Sequence, residues 1–186
     1  MQKNTKIQAF EYVLFKLTQW YINDNQLVDF SNFNNKNDLS KLKVIKLHFF
    51  VSAVNSNSND LLSTFDKFYA MPYGHVESDV YTVLSSLTHF IIDTKKLTIK
   101  DVNELSEKSF EGLPVIIRHD IDNSINSLKK INSKIINYNA LDLVDISHRW
   151  FSWSSMMNYA KQNNRNSEFI PPRLIQQEDK IFELGY

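Results

Sequence analysis

The densest group of side chains able to move a proton or hold a metal is Arg118-His119-Asp120-Ile121-Asp122, which sets one imidazole and two carboxylates close together. A zinc site needs three or four ligands at recognisable spacing, with paired His or Cys about one helical turn apart. This segment has no second His at that spacing, and the sequence has no cysteine. Asp120 and Asp122 are better read as the N-cap and first-turn acids of a helix. Ser147-His148 places a hydroxyl beside an imidazole. Sequence neighbours rarely face each other productively, and no Gly-x-Ser-x-Gly elbow presents this serine. His48 and His89 lie in apolar helical patterns and read as partly buried structural residues. The catalytic, cofactor-binding and metal-ligating sets are therefore read as empty. A metal-dependent hydrolase or nuclease, assembled from His119 and distant carboxylates, stands as the second alternative.

Charge and composition narrow the function further. Lys+Arg and Asp+Glu are equal at 21 each, so no global field draws in a polyanion, and nucleic acid is disfavoured as a partner. A DNA-associated or phage-encoded transcriptional regulator is the first alternative. Lys41, Lys43 and Lys46 interleave with the most apolar stretch and read as the wet edge of a core helix. The three glycines, Gly74, Gly112 and Gly185, are too few and too scattered for a phosphate-cradling loop or a many-turned β fold. The lack of cysteine fits a reducing compartment. Met1-Gln2-Lys3-Asn4 leads into an amphipathic pattern without a secretory h-region, and no apolar run approaches the ~18 residues that span a bilayer. A cytoplasmic location without a membrane partner is expected.

These residues need elements to position them. The length of 186 residues fits one domain, 1–186, able to bury ~70% of its unfolded surface. Ile7, Phe10, Val13, Leu14, Leu17 and Trp20 recur at helical spacing, predicting a helix over 5–22. Residues 27–37 are Asn-rich and read as a loop. Asp38 or Ser40 then caps a helix apolar over most of its circumference, the mark of a central one. A polar break follows at 55–59, a short apolar-rich stretch at 60–69 and a turn at Met71-Pro72-Tyr73-Gly74. The helical pattern resumes from Val76 through Ile91. Thr98 and Asp101 suggest a capping box for a helix over 99–107. Extended structure is allowed only as a minor segment near 113–118. Asp120 or Asp122 then caps a helix carrying Ile125, Leu128, Ile131 and Ile135. A short helix at 141–147 precedes one capped by Ser152, and a closing helix over 173–182 starts behind Pro171-Pro172. The fold class is mainly α, a single-domain orthogonal helical bundle.

Three blocks together resemble the Panacea (SocA-like) antitoxin domain, as a divergent member. Lys41-Leu42-Lys43-Val44-Ile45-Lys46-Leu47-His48-Phe49-Phe50 is similar to that family's early lysine- and leucine-rich helix. Residues Tyr73, Gly74, His75, Val76 and Tyr81 resemble its second block, a tyrosine-glycine-proline-valine turn followed by valine-tyrosine on a helix. Ser147, His148 and Trp153 resemble its third, a threonine-histidine followed by proline-tryptophan. His75 stands where the family has proline, Met71 where it has tryptophan, Ser147 where it has threonine and Ser152 where it has proline. The resemblance implies a protein-binding neutraliser of a cognate toxin, from a toxin–antitoxin pair or a prophage, and not an enzyme. One branch of the family is an adaptor to a protease. A protease and a second copy of the chain are accordingly further candidate partners. Gly74 and Trp153 read chiefly as determinants of the fold, with His148 and Trp153 tying the final helices together. Residues 97–139, between the blocks, read as the partner-specific surface.

Overall fold

The computed structural model describes residues 3–57 and 61–185. Met1 and Gln2, Ser58 and Asn59 of the polar break with Asp60 at the start of the next stretch, and Tyr186 lie outside the described residues. Helix α1 (Lys3–Asp24) buries the predicted stripe of Phe10, Val13, Leu14, Leu17 and Trp20. Helix α3 (Lys41–Val54) begins at Ser40, whose hydroxyl accepts from Lys43 N. It is buried from Lys43 to Ala53 without interruption. A helix without a wet face has to be the centre of its fold, and α3 packs against α1, the second strand, and the helices that follow.

The mainly α expectation holds, with two corrections to where extended structure lies. Residues 113–118 are not extended. Pro114 precedes helix α6 (Val115–Ile131), whose inner face carries Ile121, Ser124, Ile125 and Leu128. That 3.6-residue stripe outweighs the β preference of Val115-Ile116-Ile117. Asp120 and Asp122 therefore sit inside the helix and cap nothing. The strands lie where a helix or a turn was expected. Strands β1 (Phe68–Met71) and β2 (Gly74–Glu77) form a hairpin, and β5 (Glu168–Phe169) pairs with β1 in the order β2-β1-β5. Strands β3 (Phe90–Ile92) and β4 (Leu97–Ile99) form a second antiparallel pair.

The pattern from Val76 to Ile91 is thus divided among three elements. Glu77 ends β2 and caps the short helix α5 (Ser78–Val83), its carboxylate accepting from Val80 N at 2.7 Å. Strand β3 takes the rest. His89 lies just before β3, its amide donating to the buried Glu11 at 2.7 Å. Thr98 belongs to β4, and a 3-10 helix opens only later, at Glu107–Phe110. The expected loop over 27–37 holds helix α2 (Phe30–Lys36), which Asp29 caps from Asn32 N and Phe33 anchors in the core. The short helix α4 (Leu61–Thr64) follows the break. Near the end come α7 (Ala140–His148) and α8 (Phe151–Gln162), close to their predicted bounds, though Trp150 and not Ser152 holds the N-cap. Helix α9 (Pro172–Gln177) stops earlier than expected. No helix among the described residues is long and apolar enough to cross a membrane.

Candidate functional site

Two of the three lysines of α3, Lys43 and Lys46, are not a wet edge. Lys43 is buried and donates to Asp38 at 2.7 Å. Lys46 is wholly buried and donates to the carbonyl oxygen of His75 at 2.6 Å. β2 is the outer strand of its sheet, so its outward backbone groups have no partner strand. A buried backbone group left unpaired costs about 1–3 kcal/mol. Lys46 satisfies the carbonyl of His75, and Ser147 Oγ accepts its N–H at 3.2 Å. Burial pushes the Lys46 amine well below the usual lysine range.

The imidazole of His75 extends the network. Its Nδ1 lies 2.9 Å from Ser147 Oγ and its Nε2 lies 2.8 Å from Ser152 Oγ. A neutral ring protonated at Nε2 satisfies every contact, with Ser147 donating to Nδ1 and Nε2–H donating to Ser152. Burial, then the charges of Lys46 and His148, push the His75 pKa well below its ordinary value. Ser152 N donates in turn to Glu178 Oε2 at 2.9 Å. Burial raises the Glu178 carboxyl, against the hydrogen bonds from Ser152. Phe49 stacks flat on the His75 ring, centroids 3.6 Å apart. Gly74, at φ +96°, admits this crowding: a Cβ there would lie 2.4 Å from Ser147 Oγ and 2.8 Å from Lys46 Nζ. A serine beside an imidazole is the pairing that nucleophilic catalysis uses. Here His75, Ser147 and Ser152 are all at 0% exposure, so no substrate carbonyl can reach them. The arrangement holds backbone in place.

His148 and Trp153 brace the same hairpin from outside. Trp153 Nε1 donates to Met71 O at 2.8 Å. The two helices α7 and α8 are thereby tied to the hairpin tip, and not merely to each other as the sequence suggested. Trp153 is only partly buried, whereas Trp150 is wholly enclosed and donates to Ile181 O at 2.8 Å.

Held by this frame, the hairpin forms one wall of an open apolar groove of about 510 Å³. Leu42 and Ile45 of α3 form the opposite wall, and Met71, Tyr73, Val76 and Tyr81 complete it. Tyr73 is 62% and Tyr81 42% exposed. The motif residues therefore divide by role: Gly74, His75 and Val76 are buried supports, His148 and Trp153 are the brace, and Tyr73 and Tyr81 face solvent. A larger cleft of about 690 Å³ between α1 and α6 is polar, lined among others by Lys16, Gln19, Asp122 and Lys129. It contains none of the motif residues.

The remaining acid–base candidates disperse. His119 is exposed, with Asn123 and, at 3.8 Å, Asp120 as neighbours. Asp122 turns instead to Lys16 at 3.1 Å and to the Tyr12 hydroxyl. His48 is fully buried, not partly, edge-on to Phe10 and Phe65. Asp66, Glu77 and Asp79 do converge, close enough to hold a cation. The ammonium of Lys6 stands among them, donating at 2.6, 2.7 and 2.8 Å. Three donors meet three carboxylates, so Lys6 itself is the cation this cluster holds.

Sequence reasoning missed Lys46, Ser152 and Glu178 as working parts of the site. The available signal was the recurrence of lysine inside an otherwise apolar helix, which points to a buried acceptor as readily as to a wet edge. The three blocks, far apart in sequence, converge here: Lys46 comes from the first, Gly74 and His75 from the second, Ser147 and Ser152 from the third. No curated protein and no solved structure matches the chain. A family profile, described as antitoxin SocA-like, Panacea domain, matches residues 44–154, which is more than half of the sequence and includes every residue of this junction except Glu178. The chain belongs to the SocA-like antitoxin family of the Panacea domain.

Proposed function

We propose that this chain neutralises a cognate toxin by binding it directly, as one domain over 1–186, and that it acts by stoichiometric contact and not by catalysis. Membership of an antitoxin family is the observation that carries this reading. The surface is consistent with it. Tyr73 and Tyr81 flank an apolar groove, and aromatic residues on a rigid support are the usual anchors of protein interfaces. Val115 and Ile116, 71% and 65% exposed, lie in the 97–139 segment that supplies partner-specific contacts. An interface of standard size buries about 800 Å² on each partner.

The test is co-expression with the product of the adjacent gene. A toxin that arrests growth alone should be rescued by this chain and should co-purify with it in fixed stoichiometry. Added chelator should change neither the rescue nor the complex. Rescue without a complex would indicate transcriptional control instead. A complex that disappears only when a protease is present would add the adaptor role.

A further inference from the structure

The β2 edge beside the groove gives a partner strand no free backbone group at His75. The N–H and carbonyl of His75, which an edge strand would offer to an incoming strand, are taken by Ser147 and Lys46. Met71 O is taken by Trp153, and Lys41 N by Asp93 O. Pro72 has no N–H. The rim also carries side-chain groups, the phenols of Tyr73 and Tyr81 and the hydroxyl of Thr94. An extended peptide laid here would bury a row of unpaired backbone groups at about 1–3 kcal/mol each. An α-helix satisfies its own backbone and brings only side chains.

Charge selects the helix further. Lys41 is the one charged residue lining the groove among the described residues. Its Nζ rests 4.2 Å above the Tyr81 ring, and no carboxylate among the described residues pairs with it. Asp38, the nearest acid in sequence, is taken by Lys43 at 2.7 Å, and Asp93, whose backbone oxygen accepts from Lys41 N, turns its carboxylate to Lys95 N and Lys96 N. The start of α3 adds its positive end to the same corner. A carboxylate arriving beside Lys41 therefore meets a cation already held in place.

We infer that the groove takes an amphipathic α-helix of the toxin, with apolar residues three or four positions apart on its buried face and an Asp or Glu set against Lys41. This deepens the neutralisation reading and rests on it. The hairpin tip is fixed before binding by Gly74, His75, His148 and Trp153, so the groove needs no reordering to accept its ligand.

The probes are overlapping peptides of roughly 20 residues, long enough for a few helical turns, that tile the toxin of the adjacent gene. Each is tested for binding to the full chain by fluorescence anisotropy and for helix gain by far-UV circular dichroism. One peptide should bind and become helical. Tyr73→Ala should weaken it by about thirty-fold, the loss of a strong anchor. Lys41→Glu should weaken it too, and replacing the peptide's acid with Lys should restore binding to that variant alone. Tyr73 is exposed and Lys41 half-buried at the groove rim, and both substitutions should leave the melting temperature unchanged. A peptide that binds while staying extended overturns the inference. So does an intact toxin complex that no peptide reproduces, or that ignores both Lys41→Glu and Tyr73→Ala. Failure of the intact toxin to bind at all defeats the neutralisation reading itself, and this inference with it.

Discussion

The imidazole of His148 lies flat on the indole of Trp153, ring centroids 3.7 Å apart and planes inclined by only 13°. The pair is joined to the hairpin by the indole N–H at Met71 O. Burial and then the charge of Lys46 lower the His148 pKa, against the Pro72 carbonyl, which favours its protonated form. The stack therefore pairs a neutral ring with the indole near neutral pH. It links the two C-terminal helices to the tip from which Tyr73 projects.

Trp153→Ala should consequently cost about 2–3 kcal/mol, while Trp150→Ala should cost about 3–5 kcal/mol, since only Trp150 is fully enclosed. Trp153→Phe should lose about 1 kcal/mol, the net worth of one hydrogen bond. Denaturant titrations of the three variants give the order, and an equal loss at both tryptophans would contradict the different burial.

Gly74→Ala should destabilise by about 2–4 kcal/mol. An alanine there adopts an unfavourable positive φ and drives a methyl group into Ser147 and Lys46. Gly112→Ala meets nothing within 4 Å and serves as the control. Thermal unfolding of the two variants separates local strain from a general intolerance of glycine replacement.

Lys6→Met should cost about 3–5 kcal/mol at neutral pH, because it leaves the buried Glu77 without its cation and Asp79 with Lys67 alone. Burial pulls the Lys6 amine down, and hydrogen bonds to Asp66, Asp79 and Glu77 more than reverse this. Its contribution is therefore present below the unfolded pKa near 10.4 and is lost as pH rises through the higher folded value. Burial raises the Asp79 carboxyl, and the bonds from Lys6 and Lys67 outweigh it and lower the pKa. Its share is present above about pH 3.9 and is lost as pH falls through the lowered folded value. The stability gap between wild type and Lys6→Met should therefore narrow below about pH 4. A gap independent of pH would show that Lys6 acts through packing alone.

The buried imidazoles set a second pH dependence. Burial, with the charge of Lys6, lowers His48 to about 3, and His75 is held well below its ordinary value. The unfolded chain takes up protons near pH 6.5 that the folded chain refuses, so stability is full above that pH and declines as pH drops beneath it. For His48 the decline ends only near pH 3, where the folded state protonates. Each imidazole contributes a slope of about 1.4 kcal/mol per pH unit once the unfolded chain is protonated. His48→Leu removes one such slope, and also a buried Nε2 that has no partner. The variant should be more stable at pH 7 by about 1 kcal/mol, with an advantage that grows towards pH 4.5. Unfolding free energies at three pH values decide it.

Helical periodicity made α1, α3, α7 and α8 legible, because each buries a stripe wide enough to dominate its own sequence. The strands were hidden for a physical reason. Among the described residues no strand exceeds four residues, so none has room for an alternating pattern, and β1 and β2 are specified by Gly74 and by contacts from α3, α7 and α8. The burial of Lys46 was equally illegible, since its amine bonds a backbone carbonyl, which no side-chain pattern reveals. The motif blocks could be recognised along the chain. That they meet around His75, leaving Tyr73 and Tyr81 outside, is a property of the packing.

Capping an edge strand with side chains also governs what the molecule does in company. An open strand edge is a template on which further chains can pair and grow into fibres. Lys46 and Ser147 occupy that template at β2, and the opposite margin, β5, offers only two residues. The sheet can neither lengthen nor trade strands with another copy at low cost. At this sheet, then, another copy finds little strand edge on which to grow.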